Sequence, residues 1–370
     1  MANITKRDEI QKDLANQIIA NKCRVLTNIS ARVGKIRIVL NYITKPENTV
    51  LIVYPEKDIK QAWVDEFPKI GYDSKNIKYS TTMSIKKVDY PVDYLILDEY
   101  HKYSDNQIAA LVQYINKNNI QKVIGLSGSV APKTEEIWMK STGLEVKVNY
   151  PIEKAIEDGI IADYIIEVHQ IPLDTAPTLK RQSKEKGVYY ISEKKAYDNI
   201  SYLIRMEENY DFPNRTKLKT LRFNRMNLIK KSPTKLAYTK KLLKGKEQER
   251  ILVFMGLIDT ADGLGIPSYH SESKNDDDKN NFLSGKTNHL AIINKLNMGT
   301  TFPKLSKSIV SFFDSNPENM FQKINRITCL EYDNPEKKAN VIIVTSDEEA
   351  EQKWLNSALK FFHPDKIKYV

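Results

Sequence analysis

Three consecutive apolar residues followed by two acids, Leu95-Ile96-Leu97-Asp98-Glu99, constrain this chain more than any other feature. An uninterrupted apolar run of this kind reads as a strand buried on both faces, as in a parallel sheet covered by helices. In such sheets ligands lie beyond the carboxyl ends of the strands. Asp98 and Glu99 therefore stand where the sheet meets its ligand. Two carboxylates there suit holding Mg²⁺ and orienting a water toward the terminal phosphate of a nucleoside triphosphate. That chemistry needs a cradle for the phosphates. Upstream, the apolar-leaning strand Arg24-Val25-Leu26-Thr27-Asn28 runs into a turn carrying Gly34-Lys35, then a helical pattern through Arg37, Ile38, Val39 and Leu40.

Around these two segments, strand and helix alternate as a parallel sheet requires. Val50-Leu51-Ile52-Val53-Tyr54 is a strand ended by Pro55, and Ile59, Ala62, Trp63 and Phe67 at helical spacing follow it. Residues 107–115 read as a helix and Lys122-Val123-Ile124-Gly125-Leu126-Ser127 as a further strand. A crossing segment, 150–174, holds the apolar strand Tyr164-Ile165-Ile166-Glu167-Val168. Residues 178–245 read as basic, tyrosine-rich and helical, with no strand. Alternation then resumes with Ile251-Leu252-Val253-Phe254, Ala291-Ile292-Ile293, Ser308 to Phe313 and Ala339 to Val344. The polar run 271–281, with Asp276-Asp277-Asp278, reads as an exposed loop. The expected fold class is α/β, with two tandem parallel-sheet domains over residues 1–155 and 156–370. The basic helical segment is an insertion at about 178–245.

A chain of 370 residues has room for two such cores. No stretch approaches the roughly 18 apolar residues of a membrane span, and the first residues lack the apolar core of a signal peptide, so no membrane partner is expected. Cys23 and Cys329 read as lone thiols, which suits a reducing cytoplasm. The five histidines, His101, His169, His270, His289 and His363, form no zinc-ligand spacing. The net charge of +10 is concentrated: residues 178–250 hold 20 Lys/Arg against 8 Asp/Glu, a surplus of 12. Such a region fits a polyanionic partner, most often nucleic acid, and equally fits a solvated helical face.

Taken in order, the motifs resemble those of the superfamily 2 helicases and translocases. The nearest likeness is to small phage-type DNA helicases related to the UvsW type and to restriction-enzyme motors, and it covers nearly the whole chain. Ser30-Ala31-Arg32-Val33-Gly34-Lys35-Ile36 resembles the family's phosphate loop, which implies that Arg32, Val33, Gly34, Lys35 and Ile36 line bound ATP. Gln11 resembles its adenine-reading glutamine, though a lone glutamine on an N-terminal helix is also an ordinary surface group. Asp98-Glu99-Tyr100-His101 matches the Asp-Glu-x-His box. The resemblance gives Asp98 the Mg²⁺ and Glu99 the attacking water, and has His101 couple the site to the second domain. A satisfied strand-end histidine is the alternative for His101. Leu126-Ser127-Gly128-Ser129 resembles motif III.

By the same resemblance, Pro55 in motif Ia and Thr81 and Thr82 in motif Ib touch the nucleic-acid backbone. Ile251 to Phe254 with Tyr269-His270-Ser271 resembles motif IV and its downstream strand. Lys295 to Pro303, with Gly299 and Thr300, resembles motif V. Gln322-Lys323-Ile324-Asn325-Arg326 resembles motif VI, which implies a catalytic role for Gln322 and an arginine finger at Arg326. His270, Gly299 and Thr300 complete the expected nucleic-acid contacts. In the insertion, Lys217, Lys219, Arg222, Arg225, Lys230 and Lys231 are candidates to face duplex, and Tyr189, Tyr190 and Tyr197 to stack on bases.

Three positions depart from the family pattern. Ile36 replaces the Ser/Thr that ligates Mg²⁺, Cys329 replaces a second motif VI arginine, and Thr301 replaces an acid of motif V. The expectation is a slow or partner-stimulated ATPase using ATP and Mg²⁺ and acting on single-stranded or branched DNA. Protein partners in phage replication or recombination and a location in the host cytoplasm go with it. The rivals are a catalytically weak or silent nucleic-acid-binding module and an RNA helicase.

Overall fold

The computed structural model describes every residue except 1, 57, 129, 184–186, 294–301, 303, 331–333 and 335. The chain forms two compact units, the first over Met1–Asp163 and the second beginning at Tyr164. The described residues of Phe321–Lys337 group with the first unit. Among the described residues, no helix is long and apolar enough to cross a membrane.

The first unit runs α1 (Ala2–Ala20), β1 (Arg24–Ile29), α2 (Lys35–Tyr42), β2 (Val50–Tyr54), α3 (Asp58–Ile70), β3 (Ile77–Thr81) and β4 (Tyr94–Asp98). It continues with α4 (Asp105–Lys117), β5 (Lys122–Ser127), α5 (Pro132–Thr142), β6 (Val146–Tyr150) and α6 (Ile152–Glu157). The six strands lie in the order β3-β2-β4-β5-β1-β6, and every pairing is parallel. The apolar runs explain the order. All five residues of β2 and of β4 are buried, as only central strands covered on both faces can be. Leu51, Val53, Leu95, Leu97, Val123 and Leu26 alternate onto one face and join Ile108, Leu111, Tyr114 and Trp138. Each such side chain contributes about 1.5–3 kcal/mol on burial. Helix α4 starts where Ser104 and Gln107 complete a capping box.

The second unit runs β7 (Asp163–Gln170), β8 (Leu179–Ser183), β9 (Gly187–Ile191), α7 (Glu193–Glu208), α8 (Arg215–Lys230), α9 (Pro233–Leu243), β10 (Ile251–Phe254), α10 (Ile258–Asp262) and β11 (Ser268–Tyr269). It closes with α11 (Asp277–Leu283), β12 (His289–Ile292), β13 (Lys307–Val310), α12 (Pro317–Ile324, of which the part from Phe321 groups with the first unit), β14 (Lys338–Thr345), α13 (Glu349–Ala358) and β15 (Ile367–Tyr369). Its sheet has the order β11-β12-β10-β13-β14-β7-β15. The pairings β11–β12, β12–β10, β10–β13, β13–β14 and β7–β15 are parallel.

Two expectations need correction. The basic segment is not purely helical, because β8 and β9 form an antiparallel hairpin before α7. Its residues are largely exposed and carry no clean apolar alternation, so the pairing leaves little trace in the sequence. The polar run 271–281 is not all loop. Asp276 caps α11, and Asp277 and Asp278 occupy its first turn, where negative charge offsets the helix dipole.

Candidate active site

The site is assembled at the carboxyl ends of β1, β4 and β5. The chain leaves β1 through Ser30 and Ala31, and Arg32 takes a left-handed conformation (φ 70°). Gly34 follows at φ 102° and caps α2. Glycine is the residue that takes such a conformation without strain. The first backbone N–H groups of α2 thus open onto the space past the sheet, an arrangement suited to phosphate. Lys35, the first residue of that helix, sends its Nζ to within 3.5 Å of Glu99 Oε1.

Glu99 itself sits at φ 50°. A side chain other than glycine held there costs energy that the surrounding packing must supply, a condition concentrated at functional sites. It brings Glu99 under two cations and a histidine. Burial alone would raise its pKa, but Lys35, His101 and Lys102 outweigh that and hold the carboxyl below its ordinary range. Asp98 shifts the other way, up to about 6, because it is buried and because Glu99 is adjacent; Lys35 and Trp63 oppose the rise. The two carboxyls of one motif are thereby driven apart, Glu99 ionised and Asp98 reluctant.

Trp63 on α3 is the partner that periodicity alone did not assign. Its indole Nε1 donates to Asp98 Oδ2 at 2.7 Å in a fully buried contact. The same helix is fastened to α2 through Arg37 and Glu66. Glu56, just before it, takes Lys102 Nζ at 2.9 Å. A tryptophan at a core spacing reads as packing; its N–H gains a role only when topology sets β4 beside β2.

His101 closes the far side. Its Nδ1 lies 2.8 Å from Ser127 Oγ and 3.3 Å from Glu99 Oε2. Its Nε2 is buried without a hydrogen-bond partner. Burial pushes its pKa down to about 4 despite Glu99, so the ring is neutral at physiological pH. The next residue after Ser127 is Gly128. A Cβ there would meet Lys35 Nζ at 3.3 Å and the Ala31 amide nitrogen at 3.4 Å. The space a side chain would fill is therefore the space in front of the phosphate loop.

Those features fit a nucleoside triphosphate. A left-handed glycine opens the loop, a lysine faces its mouth, and a second glycine keeps that mouth clear. A divalent cation finds Asp98 and Glu99 but no hydroxyl at position 36, where a half-buried isoleucine stands. Val33 is buried. Gln11 is 1 % exposed and donates to the Val33 carbonyl at 2.7 Å. Its Oε1 has no partner, and its Nε2 lies 2.4 Å from where a Cβ on Gly34 would sit. Gln11 thus braces the loop and keeps position 34 glycine.

Arg326 lies in the segment that groups with the first unit. Burial pushes its pKa down to about 10, and the nearby Arg32 adds to the fall. Arg32 is itself desolvated, and its Nε donates to the Asn325 carbonyl at 3.3 Å. Gln322 is half-buried one turn earlier. Cys329 pairs through its backbone with Ile161, and its thiol lies 3.6 Å from the Leu330 carbonyl.

The remaining expected residues are dispersed. Pro55 and Thr81 are half-buried at the ends of β2 and β3, and Thr81 bonds Ser84 at 3.0 Å. Thr82 is buried with its hydroxyl unpartnered. His270, after β11, is buried, with Nε2 3.1 Å from Asp262. Gly299, Thr300, Thr301 and Ser129 lie outside the described residues. In the insertion, Lys217 pairs with Glu207 and Arg222 with Glu208, each at 2.6 Å. Arg225 reaches Ser201 at 3.3 Å. Tyr197 is not available for stacking on bases. It is buried among Ala196, Leu228 and Ile229, with its hydroxyl accepting from the Ala350 amide.

No protein-family model matches the sequence, and no curated protein matches it. Solved structures do. The chain is similar to the helicase domain of Pyrococcus furiosus Hef, with 13 % identity, a TM-score of 0.54, and coverage of 96 % of this chain and 99 % of that one. It is similar to S. cerevisiae Dbp5 bound to RNA and ADP BeF3, at 10 % identity and TM-score 0.53, over 94 % and 84 % of the two chains. A third structure, Mycobacterium smegmatis helicase Lhr bound to ssDNA and AMP-PNP, gives 11 % identity and TM-score 0.52. There 95 % of this chain covers 47 % of the other. The likeness is one of fold. The chain has the tandem RecA-like architecture of helicase cores, two parallel-sheet α/β domains in series.

Proposed function

We propose that this chain is an ATP-dependent nucleic-acid motor of superfamily 2 type, acting on single-stranded or branched DNA. The observation that carries the reading is one cluster. Lys35, Glu99, His101 and Ser127 are joined by contacts of 2.8–3.5 Å at the carboxyl edge of a parallel sheet, in front of a glycine-opened loop. The fold shared with solved helicases agrees with it, as do the nucleotide analogues bound in the Lhr and Dbp5 structures.

In this reading Lys35 and the α2 amides hold the β- and γ-phosphates. Glu99, kept ionised by its neighbours, orients and polarises the attacking water. Bound Mg²⁺ would neutralise charge developing on the phosphate oxygens, with Asp98 as its protein contact. Neutral His101 links Glu99 to Ser127, so a shift of the β5 end alters the base. Arg326 supplies a positive charge for the γ-phosphate. Ile36 withholds a ligand from the metal, which favours slow turnover stimulated by nucleic acid. The surplus positive charge of residues 178–250 supports a polyanionic partner. The two free cysteines, Cys23 and Cys329, are compatible with action in a cytoplasm, that of the host in phage replication, recombination or repair.

The test is ATP hydrolysis with and without single-stranded DNA, branched DNA and RNA, with Glu99→Gln as the control. Stimulated turnover that falls about 100-fold or more in the variant is expected. No turnover under any condition would leave a silent binding module, and preferential stimulation by RNA would reassign the substrate.

A further inference from the structure

The cations expected to meet nucleic acid on α8 are largely occupied within their own helical pair. Lys217 and Arg222 are neutralised by Glu207 and Glu208 at the end of α7, and Arg225 lies over the Tyr197 ring. Their effect is to fasten α7 to α8. What this hairpin presents to solvent is different. On α7, Tyr202 and Met206 lie four residues apart and so share one face, and Tyr210 follows just past the end of the helix. They are 55 %, 42 % and 57 % exposed. Phe212, in the turn between the helices, is 94 % exposed, and Phe223 on α8 is 55 % exposed. Large apolar side chains left in water within one helical hairpin are the kind of exposure that marks an interaction site.

Charge decides the class of partner. Helix α8 contains six Lys/Arg and no Asp/Glu. Arg215, Lys219 and Phe223 fall at successive four-residue steps, so two cations and a ring lie along one stripe. Arg215 and Lys219 make no ion pair among the described residues. A protein-docking patch is depleted of lysine at its centre. Rings interleaved with cations are instead the pattern that holds a single strand, the rings stacking on bases and the cations taking phosphates.

We infer that the α7–α8 hairpin is a base-stacking platform for single-stranded nucleic acid, with Phe212 and Phe223 as its main rings and Arg215 and Lys219 as its phosphate contacts. This rests on the proposal that the chain acts on nucleic acid, and it names which segment grips the strand and by what means. Base stacking requires unpaired bases, so the platform prefers single strand over blunt duplex.

The experiment is fluorescence anisotropy of labelled oligo-dT, and of a duplex of equal length, with the full chain across a salt series. Phe212→Ala and Phe223→Ala are each expected to weaken oligo-dT binding about tenfold with the salt slope unchanged. Arg215→Ala and Lys219→Ala are each expected to flatten the log–log slope by about 0.7. These side chains are exposed, so matched thermal unfolding curves confirm that the variants remain folded. Oligo-dT binding that Phe212→Ala and Phe223→Ala leave intact overturns the platform alone. Wild-type chain that self-associates, and is made monomeric by Phe212→Ala without loss of oligo-dT binding, also overturns it. Wild-type chain that binds no nucleic acid overturns the underlying motor reading as well. That failure is told apart from a dead ATPase by the hydrolysis assay with Glu99→Gln, which does not involve the hairpin.

Discussion

Each unit of this protein buries a knot of charged and polar side chains, and the two knots serve opposite ends. In the second unit, Lys235 Nζ meets Glu351 Oε1 at 2.6 Å with both side chains at most 3 % exposed. The other Glu351 oxygen accepts from the Ser346 amide and hydroxyl. Nearby, Glu193 accepts from Ser232 and from the amide and hydroxyl of Thr234. These bonds tie α7, α9 and α13 together around satisfied groups. In the first unit the knot lies at strand ends. His101 Nε2 and Gln11 Oε1 have no partner, Glu99 is held at a positive φ, and Asp98 is driven toward neutrality. Burial is common to both. Unmet hydrogen-bonding capacity at a sheet edge is what separates a site from a scaffold.

The comparison can be broken most forcefully at Lys235. Removing that cation strands Glu351 in the interior, so Lys235→Met is expected to lower unfolding free energy by about 3–5 kcal/mol. Replacing both partners with apolar residues of similar size should recover most of the loss. Urea unfolding of the single and double variants at neutral pH checks it. Equal losses in both would mean that packing, not charge pairing, holds this region.

Asp98 should behave in the reverse sense. Its folded pKa of about 6 lies above the ordinary aspartate value of 3.8, so the folded chain binds the proton more tightly than the unfolded one. Stability therefore falls as pH rises between those values, and the cost is present in full above about pH 6. Asp98→Asn removes that ionisation. It is expected to stabilise the chain on the order of 2–3 kcal/mol at pH 8 and to change little at pH 4. A destabilised variant at pH 8 would place Asp98 among scaffold charges such as Glu351.

Much of this contrast could be read along the chain. The apolar runs that became β2, β4 and β5, the Gly34 turn and the Asp98-Glu99 pair were visible because strands buried on both faces leave uninterrupted patterns. The scaffold knot was not visible, since Lys235, Glu193 and Glu351 sit on helices where charge normally means solvent. The β8–β9 hairpin escaped for the opposite reason, with most of its residues exposed and its apolar ones in no clean alternation. Tyr197 and the paired cations of α8 show a further limit. Composition counts a charge or a ring but not the partner that tertiary folding brings to it.

The finest distinction falls on Trp63, which belongs to the packed core by burial and to the site by its hydrogen bond. The indole N–H fixes one oxygen of Asp98 and so orients the carboxylate. A hydrogen bond to a charged group contributes about 1.5–3 kcal/mol. Trp63→Phe deletes the donor and keeps most of the apolar volume. If the bond serves only packing, the variant loses stability and nothing else. If it positions Asp98, the Mg²⁺ concentration for half-maximal ATP hydrolysis should rise about tenfold, the low end of that range, while Lys235→Met leaves the Mg²⁺ dependence of the remaining folded enzyme unchanged. An unaltered Mg²⁺ requirement in folded Trp63→Phe would return this residue to the core and shrink the site to the residues at the strand ends.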